Sequence, residues 1–125
     1  MNYFSNSHSQ DYDKVEIPSN LPVLTEEKQI VIHFLVKGET SLSIRPDTFL
    51  MSNKPHRKTY LLFNFGVSLH PQTSYGVDQR FTLIFGGLDK DCKKFNFIEG
   101  KLHEGMFLVQ DVIRNEEDVY YITFK

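Results

Sequence analysis

No alanine occurs among the 125 residues. Alanine is the strongest helix former, so a chain without it has little local drive toward helix. In its place stand 11 Phe and 6 Tyr. Aromatic and β-branched side chains suit a pleated, half-buried surface. The chain is therefore expected to be all-β. Its length fits one domain, and a domain of this size buries roughly two-thirds of its unfolded surface. A packed core is feasible without disulfides or metal.

Composition removes several function classes. Fourteen basic residues against 16 acidic ones give a net charge of −2. That is a poor electrostatic footprint for a nucleic-acid binder. One cysteine excludes an internal disulfide framework and a Cys-rich zinc site. No apolar run approaches the roughly 20 residues of a membrane helix.

Residues 1–13 are polar and aperiodic and read as a flexible leader, with residues 14–125 as the single domain. Pro18 to Pro22 has linker chemistry. Gln29 to Lys37, QIVIHFLVK, is the most apolar run and predicts a central strand. Gly38 and Glu39 predict a turn, and Ser41 to Ile44 a further alternating piece. Thr48–Met51 and Thr59–Phe65 flank a polar reversal and predict a hairpin. Val67 to Gln79 carries Pro71, Gly76 and many polar residues and reads as the longest loop. Arg80–Phe85, the run around Phe95 and Phe97, Met106–Ile113 and Val119–Phe124 complete the strands. Phe81, Leu83, Phe85, Phe95, Phe97, Ile32, Phe34 and Ile122 are the expected core.

Turn signals at intervals of about 8–12 residues suit a sandwich or barrel. The middle and C-terminal parts resemble an uncharacterised immunoglobulin-like β-sandwich domain of Bacteroidetes proteins. Pro46, Thr48, Leu50, Lys58, Tyr60, Leu62 and Gly66 match its first motif. Phe81, Leu83, Phe85, Leu88, Lys90, Phe95, Phe97, Ile98 and Glu99 match its second. Arg57, Asp89 and Asn96 stand where that family has Gly, Pro and Asp. The resemblance implies an antiparallel immunoglobulin-like β-sandwich of about seven strands. It also implies an accessory module of an exported protein, and it carries over no catalytic residue.

Chemistry-bearing residues are sparse in pattern. His8, His33, His56, His70 and His103 show no paired ligand spacing. The turn histidines His56, His70 and His103 meet only if their turns gather at one end of the fold. Cys92 lies among Lys90, Lys93 and Lys94 but also beside Asp89 and Asp91, with no dedicated base. The acidic residues Asp89, Asp91, Glu99 and Glu104 lack a calcium-loop spacing. No nucleophile elbow or phosphate loop is present. Tyr60, Phe63, Phe65 and Tyr75 are the candidates for an aromatic platform.

The expected function is a noncatalytic accessory or protein-interaction domain of the bacterial cell envelope, with no cofactor and no metal. Tyr75, His70 and Gln72 are the candidate binding residues, because recognition concentrates on loops. The expected partner is a protein or a neighbouring domain, not nucleic acid, with no membrane span. Removal of a signal peptide would place the chain in the periplasm or envelope; otherwise it is cytoplasmic. The alternatives are an assembly subunit or homodimer pairing through an edge strand such as Val119–Phe124, and a small hydrolase or redox enzyme using Cys92.

Overall fold

The computed structural model describes residues 4–6, 28–53, 56–100 and 106–125. Eight strands are present: β1 (Phe4–Asn6), β2 (Ile30–Leu42), β3 (Phe49–Ser52), β4 (Lys58–Phe65), β5 (Ser74–Phe85), β6 (Lys94–Gly100), β7 (Met106–Ile113) and β8 (Val119–Phe124). Seven of them exceed three residues, and no helix occurs among the described residues. None is therefore long and apolar enough to cross a membrane. The all-β expectation holds. Phe4–Asn6, inside the segment read as a leader, pair with β8. The linker Pro18 to Pro22 lies outside the described residues.

The strands form one sheet in the order β1-β8-β2-β5-β4-β3-β6-β7. The sheet curves into a half-barrel. The corner is β4. Its first residues pair with β3 and its later ones with β5, across an irregularity between Leu61 and Phe63. Such irregularities bend a strand and raise its local twist. Side chains of the two arms then meet. Phe34 of β2 stacks on Phe81 at 4.9 Å and lies 5.0 Å from Phe97 of β6. Phe95 of β6 meets Tyr120 of β8 edge-on at 5.1 Å. Each expected core residue is buried.

Three expectations about architecture need revision. The sheet is mixed rather than purely antiparallel, because β8 runs parallel to β2 from Val31↔Val119 to Val36↔Phe124. The chain leaves β7 at one end of the sheet and re-enters beside β2, so a five-residue link joins the two arms and not two neighbours. The strands also belong to one continuous sheet, and an immunoglobulin-like sandwich is not confirmed. Val119–Phe124 is not an edge either: β8 lies between β1 and β2.

The predicted central strand is central. β2 is buried on both faces, with Ile32, Phe34 and Val36 toward the core and His33 and Leu35 on the opposite face. That explains an unbroken apolar run. The predicted turn at Gly38 and Glu39 is instead a bulge within β2. Gly38 takes φ +86°, a region open to glycine, so the strand kinks without ending. The hairpin of β3 and β4 forms in the register Phe49↔Tyr60 and Met51↔Lys58.

Candidate functional site

The loop expected at Val67–Gln79 is shorter than the sequence suggests, because β5 already starts at Ser74. Ser74, Gly76, Asp78 and Gln79 are weak strand formers, yet long-range pairing overrides local propensity. Thr40↔Gly76, Ser41↔Tyr75 and Leu42↔Ser74 pair in register. The Gln79 side-chain amide donates to Thr40 O and Thr40 Oγ1, each at 2.9 Å, and to Ser74 O at 3.1 Å. Gly76 leaves room for it, since a Cβ there would meet Gln79 Cγ at 3.2 Å. The Gly38 N–H donates to Asp78 Oδ1 at 2.8 Å.

These contacts hold a two-stranded ribbon. β8 pairs with β2 only as far as Val36, and β4 with β5 only as far as Thr82. Residues Glu39–Leu42 and Ser74–Val77 therefore extend past their neighbours. Leu42 is buried, whereas Tyr75 is 74% and Val77 62% exposed. Two apolar side chains two residues apart thus stand in solvent on a pinned backbone. His70 and Gln72 are exposed on the loop leading into β5. That loop is tied down by Ile44 N–H to Ser68 O and His70 N–H to Ile44 O, both at 2.9 Å. Val77 did not stand out in the sequence. Its one signal is the alternation Tyr75-Gly76-Val77.

The other candidates do not converge. Tyr60 is exposed on the part of β4 that pairs with β3, and its ring lies 6.2 Å from Phe49. Phe63 and Phe65 are half-buried. The four aromatics therefore make no single platform with Tyr75. His56 precedes β4 and His70 follows it, so an eight-residue strand of roughly 25 Å separates them. His103 and Glu104 lie outside the described residues. His33 is buried, stacks on Tyr121 at 5.1 Å, and its Nδ1 lies 2.7 Å from Thr82 Oγ1. No group of three His, Cys, Asp or Glu side chains is placed to hold a metal among the described residues.

Cys92 is buried, and its thiol donates to Lys94 O at 3.1 Å. Cys92 contributes to the wall of an open cleft of about 420 Å³, with Lys90, Lys93, Arg114, Asn115, Glu116 and Asp118. Hydrogen bonds and an ion pair order the floor of this cleft. Arg114 grips Asp118 through Nε–Oδ1 at 3.0 Å and Nη2–Oδ2 at 3.2 Å. It also donates to the carbonyls of Leu88, Asp89 and Cys92. The Tyr120 hydroxyl donates to Asp118 Oδ1 at 3.0 Å and accepts the Asn115 N–H at 3.1 Å. Burial, with the adjacent Asp118 carboxylate, holds that phenol above its ordinary value. In the sequence, Arg114–Asp118 reads only as a charged turn.

A small space lies between the two arms of the half-barrel. The space between Val36, Leu42, Ile44, Phe107 and Phe124 is about 10 Å³. That is near the size of one water, and its walls are apolar.

Glu99 is the buried carboxyl group of β6. Its Oε2 accepts the Arg45 N–H at 3.1 Å. Burial raises its pKa from the ordinary 4.5, against the lowering effect of backbone hydrogen bonds from Arg45 and Phe107. A carboxyl raised on folding stabilises fully below its unfolded pKa, and this contribution fades as pH rises through the folded value. Glu99→Gln is accordingly expected to gain stability relative to wild type as pH rises above the ordinary carboxyl value of 4.5. Denaturant midpoints of the two proteins measured from below that pH to above it check this, and parallel profiles would reject it.

Comparison of the chain with family models, with curated proteins and with solved structures finds no match in any of the three.

Proposed function

We propose that this chain is a noncatalytic β-sheet accessory or protein-interaction domain of the bacterial cell envelope. Its partner is a protein or an adjoining domain, contacted through Tyr75 with His70 and Gln72 beside it. The carrying observation is the Tyr75–Val77 pair, exposed on a ribbon whose backbone is held by Gln79 and Asp78. Tyrosine supplies large contact area at low side-chain entropy cost, and a pinned backbone lowers the ordering cost of binding further. The burial of the Cys92 thiol and its hydrogen bond to Lys94 O support a contact role over a catalytic one. Kinship with exported Bacteroidetes immunoglobulin-like modules is part of the proposal, resting on the strand residues that match their motifs. The envelope location follows from that kinship.

A photo-crosslinking residue placed at Gln72 in the full-length protein, in its native cell, tests the reading. A discrete crosslinked partner in the periplasmic or membrane fraction is expected. The double variant Tyr75→Ala/Val77→Ser should lower that crosslink at least tenfold, while Ile113→Ser, on a distant exposed position, leaves it unchanged. Equal crosslinking by all forms, with folds intact, would overturn the proposed surface.

A further inference from the structure

We infer that β7, an edge of the sheet among the described residues, is closed to strand pairing by a two-residue bulge at Gln110 and Asp111, so that this chain does not assemble through that edge. β7 is the last strand in the sheet order, and Ile113 on it is 73% exposed. An exposed apolar edge strand is a ready template for a second copy. The register shows what prevents this. Phe95 pairs with Val112 and Phe97 with Val109, so Asn96 faces both Gln110 and Asp111. Asp111 takes φ +54°, a conformation that Asp tolerates better than most residues. Its N–H is drawn inward to Asn96 Oδ1 at 2.8 Å. Its carboxylate lies 3.6 Å from Lys94 Nζ. A bulge kinks the strand and interrupts the regular row of donors and acceptors that a partner strand would read.

The extra residue also serves the core. Val109 and Val112 are both buried although they are three residues apart. In a regular pleat they would face opposite sides. Deleting Asp111 would leave Val109 and Val112 two apart, with both flanking registers intact. The edge would then be straight, with Leu108 and Ile113 at its ends.

A related arrangement lies where the ribbon runs past its neighbours. There Lys37 and Gly38 face Asp78, whose φ is +51°. The β7 edge and the base of the ribbon thus carry the same kind of interruption. At these two places contact through side-chain faces, rather than backbone addition, is the mode this leaves.

The test compares wild type, the Asp111 deletion and the Asp111 deletion carrying Ile113→Lys by sedimentation and circular dichroism. Wild type is expected near the chain mass of 14.6 kDa. The folded deletion variant is expected at twice that mass or more, rising with concentration, and the added lysine should restore the monomer. A folded deletion variant that stays monomeric would overturn the inference. If the deletion does not fold, Ile113→Lys in the native chain decides: identical sedimentation supports a closed edge, and a wild-type dimer abolished by the lysine overturns it.

Discussion

Arg114→Ala is expected to destabilise the protein by about 3–5 kcal/mol, because it leaves the buried Asp118 carboxylate without its partner. Asp118 is 3% exposed, and its remaining donors are neutral: the Tyr120 hydroxyl is one of them. The guanidinium also gathers three carbonyls of the 88–92 connection, of which Asp89 O keeps the Cys92 N–H as a second donor. This cluster fastens the short link that carries the chain from β7 across to β8. Tyr120→Phe removes two hydrogen bonds, to Asp118 and from the Asn115 N–H, while keeping the ring against Phe95, and should cost about 2 kcal/mol. Urea unfolding of both variants measures the difference. If Arg114→Ala cost no more than Tyr120→Phe, the ion pair would not be holding the link.

Phe34→Ala is expected to cost about 3–5 kcal/mol, from lost apolar burial and the cavity left behind. Its ring touches aromatic partners from three other strands: Phe81 of β5, Phe97 of β6 and Phe124 of β8. The two arms of the half-barrel meet at this point, so the wall cannot collapse inward from one side alone. Tyr75→Ala serves as the control within one protein. Its side chain is exposed, and a substitution of that kind usually moves stability by less than about 0.5 kcal/mol. Similar losses at the two positions, measured by thermal or urea unfolding, would show that the core is not centred on Phe34.

The hairpin of β3 and β4 was legible because its information is local: two short runs flank a polar reversal. The core face of Phe81, Leu83 and Phe85 was legible for the same reason, since alternation in a pleat is read directly from spacing. Tyr75, a candidate contact residue in the sequence, is exposed, but its setting was misread. Ser74, Gly76 and Asp78 are turn formers, and only pairing with Thr40, Ser41 and Leu42 makes the segment a strand. Val77 was missed along with that strand. Arg114 and Asp118 looked like solvated turn charges, because nothing in a stretch reading RNEED announces that the carbonyls of residues 88–92 will close over it.

Absent alanine, abundant phenylalanine and period-two runs by themselves determined that this chain is all-β, and which residues line its core. Those properties belong to each segment and its pleat, so they survive without knowledge of the partners. The tertiary structure alone decided that β8 lies parallel beside β2, that the sheet is continuous and turned at β4, and that β1 and β7 rather than β8 are the end strands. Those outcomes depend on contacts between residues far apart in the chain, such as Phe34 with Phe97 and Arg114 with Asp89. Many pairings satisfy the same alternation, and the packing of distant side chains selects among them.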